Sequence, residues 1–254
     1  MKTSSKTIRG TELFYAESGE GPVILYIHGN TASHIWWEEV MNVPGYRTIA
    51  PDMPNFGQSG RIDSHKPADY ASYLFDLMDS LGVEQALVVG HSLGGAVAMD
   101  LAVKHPAFVN GLFLLDSCPI DGLKTPKIFH PIIKKYLEDR ELFSKAMKAI
   151  MGTRGSDEAL VRRFVDEGYK MNPESFVGHA VSLGNVDYHK EAKAYNGPMR
   201  FICGSEDPLI KEKHAKKSAK RFGGDYRMID GIGHCLCIED PARFIAELTE
   251  FAGA

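Results

Sequence analysis

Cysteine is scarce in this chain, and so is any excess of positive charge or any long apolar run. The four cysteines, Cys118, Cys203, Cys235 and Cys237, are too few and too unevenly spaced for a disulfide framework in 254 residues, so free thiols are expected. Cys235 and Cys237 form a C-x-C pair beside His234, yet no second ligand pair completes the four-ligand pattern of structural zinc. Neither a metal nor a cofactor is expected. The formal net charge of −4 gives no general attraction to nucleic acid or anionic lipid. The one basic cluster, Lys211 to Arg221, interleaves with Ala215, Ala219 and Phe222 at helical spacing, which reads as the solvated face of an amphipathic helix. No run reaches the roughly 18 apolar residues of a membrane span, and polar Met1–Gly10 lacks the apolar core of a secretory signal. These absences point to a cytoplasmic protein whose partner is a small molecule.

What is present is a recurring unit: a short, nearly continuous apolar run, a turn, then a helix-period stretch. Val23–Ile27, Arg47–Ala50, Ala86–Val89, Leu112–Leu115, Met199–Cys203 and Asp225–Ile229 are such runs, each ending at a polar or glycine-bearing turn. Continuous apolar strands alternating with helices predict a mostly parallel sheet buried on both faces. Thr11–Glu17 alternates instead and reads as an antiparallel edge strand. Tyr70, Tyr73, Leu74, Leu77, Met78 and Leu81 form one stripe of a helix that ends at Gly82, and the stretch from Pro241 to Phe251 repeats the pattern. From about Ser117 to Gly197 the alternation stops. Pro131–Leu137, Glu141–Met151, Asp157–Tyr169 and Glu174–Leu183 all read as helices, so an insertion is expected over the carboxyl ends of the strands, where open sheets of this kind bind ligands.

Gly90-His91-Ser92-Leu93-Gly94-Gly95 lies between the run Ala86–Val89 and the helical stretch Ala96–Lys104. A serine at such a turn needs a strained backbone and small neighbours two positions away, which Gly90 and Gly94 supply. The turn would lift the Ser92 hydroxyl clear of the sheet and leave the Leu93 N–H at a helix N-terminus, where developing negative charge is favoured. In this frame the chain resembles the α/β-hydrolase superfamily from near Thr11 to near Phe251. The resemblance implies a mostly parallel central sheet flanked by helices, with a core of residues 1–116 and 198–254 and a helical cap, 117–197, inserted after the sixth strand.

His28-Gly29-Asn30 is similar to the superfamily's H-G-x turn, which implies that Asn30 and Leu93 supply the oxyanion N–H groups. Asp52-Met53-Pro54-Asn55-Phe56-Gly57-Gln58-Ser59 resembles its D-x-P-G-x-G-x-S turn, with Asn55 in place of the usual glycine. A serine hydroxyl needs a base, and the base needs a group to orient it. His234, in Gly231-Ile232-Gly233-His234, stands where the superfamily keeps its base, and Asp207, in Gly204-Ser205-Glu206-Asp207, where it keeps its acid. Asp116, at the end of the preceding strand, is the rival acid. His28 and His91 are expected to shape the pocket. The pair Asn30 and Trp36 is similar to haloalkane dehalogenases, but their nucleophile is an aspartate, and Ser92 cannot form their alkyl-ester intermediate. The expected activity is hydrolysis of a small or medium ester or lactone through an acyl-enzyme. Trp36, Ile120, Phe129, Phe143 and Met147 are candidates for binding the substrate's apolar part. Carbon–carbon bond hydrolysis, acyl transfer and a receptor that kept the triad are the alternatives.

Overall fold

Ile8 and Thr11 face each other across the two-residue loop Arg9-Gly10, in which both φ angles are positive, at 50° and 80°. That left-handed geometry matches the twist of a tight hairpin. In this computed structural model, which describes residues 1–253, the hairpin joins β1 (Lys2–Ile8) to β2 (Thr11–Ser18). Thr11–Glu17 was expected at the sheet edge; it is instead an inner strand, covered by β1 on one side and by β4 (Arg47–Pro51) on the other. β1 has no apolar face to betray it. Its residues before Ile8 are almost all exposed, a polar character that suits an edge strand and blunts edge-to-edge association.

The other strands are β3 (Val23–Ile27), β5 (Ala86–His91), β6 (Val109–Leu115), β7 (Met199–Gly204) and β8 (Asp225–Ile229). The eight-stranded sheet runs β1-β2-β4-β3-β5-β6-β7-β8, with only the β1–β2 and β2–β4 pairings antiparallel. All of β5 and β7 is buried, as their near-continuous apolar runs require. The sheet is packed between helices. Tyr70, Leu74, Leu77 and Met78 form the buried stripe of α1 (Pro67–Ser80), and the chain reverses at Gly82 with φ 70°. α2 (Leu93–Lys104) starts directly after Ser92 and is buried over almost its whole length, which makes it the central helix of the core.

Between β6 and β7 the chain forms helices and no strand: α3 (His130–Lys135), α4 (Arg140–Ile150), α5 (Glu158–Gly168) and α6 (Ser175–Leu183). The carboxylates of Asp139 and Asp157 accept the Leu142 and Leu160 N–H groups, so α4 and α5 each start on a side-chain cap. Their buried faces, Phe143 and Met147 on α4 and Val161, Phe164 and Val165 on α5, turn inward. The remaining helices are α7 (Glu212–Phe222), α8 (Leu236–Glu239) and α9 (Pro241–Ala252). α7 buries Ala215, Ser218, Ala219 and Phe222, so the basic cluster occupies its outer face. No helix among the described residues is long and apolar enough to cross a membrane.

Candidate active site

Ser92 has φ 52° and ψ −115°, a conformation that L-residues rarely adopt, at the junction of β5 and α2. The strain is held from both sides, since the Ser92 N–H donates to Leu115 O while Ser92 O accepts from Gly95 and Cys118. The flanking glycines are required by contact. A Cβ on Gly94 would lie 2.2 Å from Ile27 O, and one on Gly90 would lie 2.5 Å from Gly94 O. The same packing brings the His28-Gly29-Asn30 turn against the serine, because a Cβ on Gly29 would sit 3.1 Å from Ser92 Cβ. Leu93 opens α2, so its N–H has no intrahelical partner. Neither it nor the Asn30 N–H donates to another backbone group among the described residues.

Two histidines brace this turn as neutral rings. His28 Nδ1–H donates to Gly29 O, and its Nε2 accepts the Met53 N–H. Burial pushes the His28 pKa down to about 4. His91 Nε2–H donates to His234 O at 2.8 Å, tying the serine's neighbour to the loop that carries His234. Burial, aided by the adjacent His234, pushes His91 down to about 3. Trp36 stacks on the His91 ring at 5.7 Å and packs against Phe164 of α5.

His234 Nδ1–H donates to Asp207 Oδ2 at 2.7 Å, and both groups are buried. Asp207 Oδ1 accepts the N–H groups of Leu209 and Ile210. Burial opposes its ionisation, but the bond to His234 and these N–H groups outweigh that effect and hold its pKa below the usual range. Asp116, the rival acid, makes no hydrogen bond to His234. Its Oδ1 accepts Gly204 N–H, and burial together with the charge of Asp207 raises its pKa well above the ordinary carboxylate value. Ligand atoms of Asp116, Asp207 and His234 lie within 4.8 Å of one another, a spacing a cation could bridge. The oxygens of Asp207 are already committed to N–H donors and Asp116 favours its neutral form, a donor set poorly suited to a cation.

No hydrogen bond joins Ser92 Oγ to His234; the two segments are linked instead through the His91 Nε2–H bond to His234 O. In the insertion, Phe143 stacks on Tyr136 and meets Phe176 edge-on, and its ring packs over Gly168 close to Thr31 O. Met147 and Ile120 are buried, while Phe129 is 49% exposed, so the structure leaves Phe129 on the surface rather than with the other apolar candidates. Two residues were not singled out in the sequence. Glu239 Oε1 accepts the Gly233 and Cys235 N–H groups on either side of His234, and its Oε2 accepts the Thr153 N–H from the insertion. His179 of α6 reaches Asn30 at 2.7 Å. Each joins segments far apart in the chain, which no local pattern reports.

Residues 22–153 match the family described as alpha/beta hydrolase fold, and the chain belongs to that family. It is 25% identical to a pimeloyl-[acyl-carrier protein] methyl ester esterase of Vibrio vulnificus, over 96% of this chain and 99% of that one. It is 34% identical to a haloalkane dehalogenase of Bradyrhizobium diazoefficiens, over 61% of this chain and 51% of that one. Among solved structures it superposes on the N-acyl homoserine lactonase AidH with a TM-score of 0.86 at 23% identity, covering 99% of this chain and 96% of that one.

Proposed function

We propose that this protein hydrolyses carboxylic esters or lactones of small or medium size through an acyl-enzyme on Ser92. The observation that carries this reading is the buried Asp207–His234 hydrogen bond, set beside a serine at φ 52° between β5 and α2. Asp207 holds Nδ1 protonated, so Nε2 is the free basic nitrogen of His234. In the first step His234 takes the Ser92 proton as Oγ attacks the ester carbon, and the Asn30 and Leu93 N–H groups stabilise the oxyanion. His234 then protonates the departing alcohol, and water activated by the same ring releases the acid. The hydrolase reading also accords with the esterase, lactonase and dehalogenase relatives. Dehalogenation by their aspartate route is disfavoured by Ser92, whose alkyl ether could not be cleaved by attack on a carboxyl carbon.

Residues 117–197 act, in this reading, as a cap whose Phe143, Met147 and Phe164 surround the apolar part of the substrate. Ser92 and Asn30 are both half-buried rather than sealed, which leaves the nucleophile and the oxyanion turn a route to solvent. Labelling with a fluorophosphonate tests the nucleophile, and a panel of acyl esters and homoserine lactones tests the substrate class. Label on Ser92 with ester or lactone turnover is expected. An unlabelled Ser92, or turnover that survives Ser92→Ala, would sink the proposal.

A further inference from the structure

Asn55 stands where the superfamily's turn has glycine, and its backbone keeps glycine-like geometry at φ 74°. What the substitution adds is a side chain with a fixed orientation. Its Oδ1 accepts the Ile62 N–H at 2.9 Å, and a backbone N–H can only donate, so the amide cannot be reversed. Nδ2 therefore donates, to Ser64 O at 2.8 Å and to Tyr70 Oη at 3.1 Å. Tyr70 Oη lies 3.1 Å from Ser64 O but 2.8 Å from His179 Nε2, and a hydroxyl proton on the shorter contact is the arrangement that matches the acceptor oxygen of Asn30 facing the other ring nitrogen. His179 is fully buried, and that burial, reinforced by the neighbouring His65 and His28, keeps the ring neutral. A neutral ring that accepts at Nε2 must carry its proton on Nδ1, so Nδ1–H donates to Asn30 Oδ1 at 2.7 Å. Phe56 stacks flat on the ring, 5.0 Å away and within 2° of parallel, and prevents it from turning.

The polarity of the chain thus ends at Asn30 with the carbonyl oxygen consumed. Asn30 Nδ2 has no protein acceptor and is not sealed from solvent, so its N–H groups are available beside the Ser92 turn. We propose that Asn55, Tyr70 and His179 are positioning residues that hold the Asn30 side-chain amide as a third donor to the substrate's carbonyl oxygen, alongside the Asn30 and Leu93 backbone N–H groups. The donor favours substrates whose reacting group is a compact, strongly accepting oxygen. This inference rests on the ester-hydrolase reading, and it makes the helical insertion part of the oxyanion site, since His179 belongs to α6.

The test compares an activated aryl ester with its thiono analogue, in which C=S replaces C=O, with every preparation normalised by fluorophosphonate titration. Sulfur accepts hydrogen bonds poorly, so the ratio of kcat/KM for oxygen over sulfur reports the donors, whereas partial misfolding lowers both rates equally. Asn30→Ala and His179→Phe, which keeps the ring stacked on Phe56, should each lower that ratio by about tenfold or more, toward the lower end of what one oxyanion donor contributes. The double variant should fall no further than either single one. Asn55→Gly, compatible with the positive φ, should lower the ratio in the same direction, and His179→Gln should recover part of it. Nitrogen NMR of the wild type should find His179 protonated at Nδ1, a readout that needs no substrate. A ratio unchanged in Asn55→Gly and His179→Phe, or a ring protonated at Nε2, overturns the inference while leaving the hydrolase reading standing. Absence of Ser92 labelling in the wild type overturns both.

Discussion

At the scale of single residues, the two buried carboxylates near His234 differ in what they touch, and this sets two predictions. Asp207→Asn removes the acceptor that keeps Nδ1 protonated and should lower turnover by on the order of 10⁴. Asp116→Asn keeps an oxygen for the Gly204 N–H and replaces a carboxyl that already favours its neutral form, so turnover should change little. Asp116 also has a definite stability sign. Its folded pKa is raised, so its contribution is present below the unfolded value and is lost as pH rises; at neutral pH it costs stability. Asp116→Asn should therefore raise the midpoint of urea unfolding at neutral pH. Steady-state kinetics and urea titration of both variants check the pair, and a reversed ranking of turnover would move the orienting role to Asp116. A chelator should leave turnover intact, because Asp207 and His234 are bonded to each other; activity lost to EDTA and restored by zinc would contradict this.

At the scale of elements, the close packing of β5, α2 and the turn after β3 is what makes the serine elbow. Gly94→Ala would drive a methyl group into Ile27 O and His28 O, both backbone atoms that cannot move aside cheaply. The cost should be about 1–3 kcal/mol, with turnover falling further because the Asn30 turn shifts with it. The insertion is joined to the histidine loop through Glu239, and Gly152, at φ 52°, lets the carboxylate approach where a Cβ would lie 2.1 Å from Oε2. Glu239→Ala leaves the Gly233 and Thr153 N–H groups unpartnered. Turnover should fall at least tenfold with the far-ultraviolet circular dichroism unchanged; a variant with wild-type kcat would show that His234 is held without this clamp. The helices themselves were readable from apolar stripes such as Tyr70, Leu74, Leu77 and Met78. The partnership between Glu239 and Thr153 was not, because the two residues are 86 positions apart and neither belongs to a periodic pattern.

At the scale of the whole molecule, three histidines are buried in neutral form around one turn, and folding is therefore linked to pH. His28, His91 and His179 have folded pKa values below the unfolded value of about 6.5, so the unfolded chain binds protons that the folded chain refuses. Their stabilising effect is full above that value and is lost as pH falls toward about 4 for His28 and about 3 for His91, at up to about 1.4 kcal/mol per pH unit for each ring. Thermal unfolding should show a falling midpoint between about pH 7 and pH 5; a midpoint that stays level would contradict the neutral-ring assignment. Much of this architecture was legible in the sequence itself. Apolar runs ending at turns identify strands because burial on both faces leaves no room for polar residues, and Gly90-His91-Ser92-Leu93-Gly94 marks the elbow because its constraint is local. Tertiary structure alone decided three things: that polar Lys2–Ile8 pairs outside Thr11–Ser18, that Glu239 ties the His234 loop to Thr153, and that Asn55 at one turn is linked to Asn30 at another through Tyr70 and a histidine of α6. Each depends on which distant segments share a hydrogen bond, and a hydrogen bond has direction and length but imposes no period on the chain.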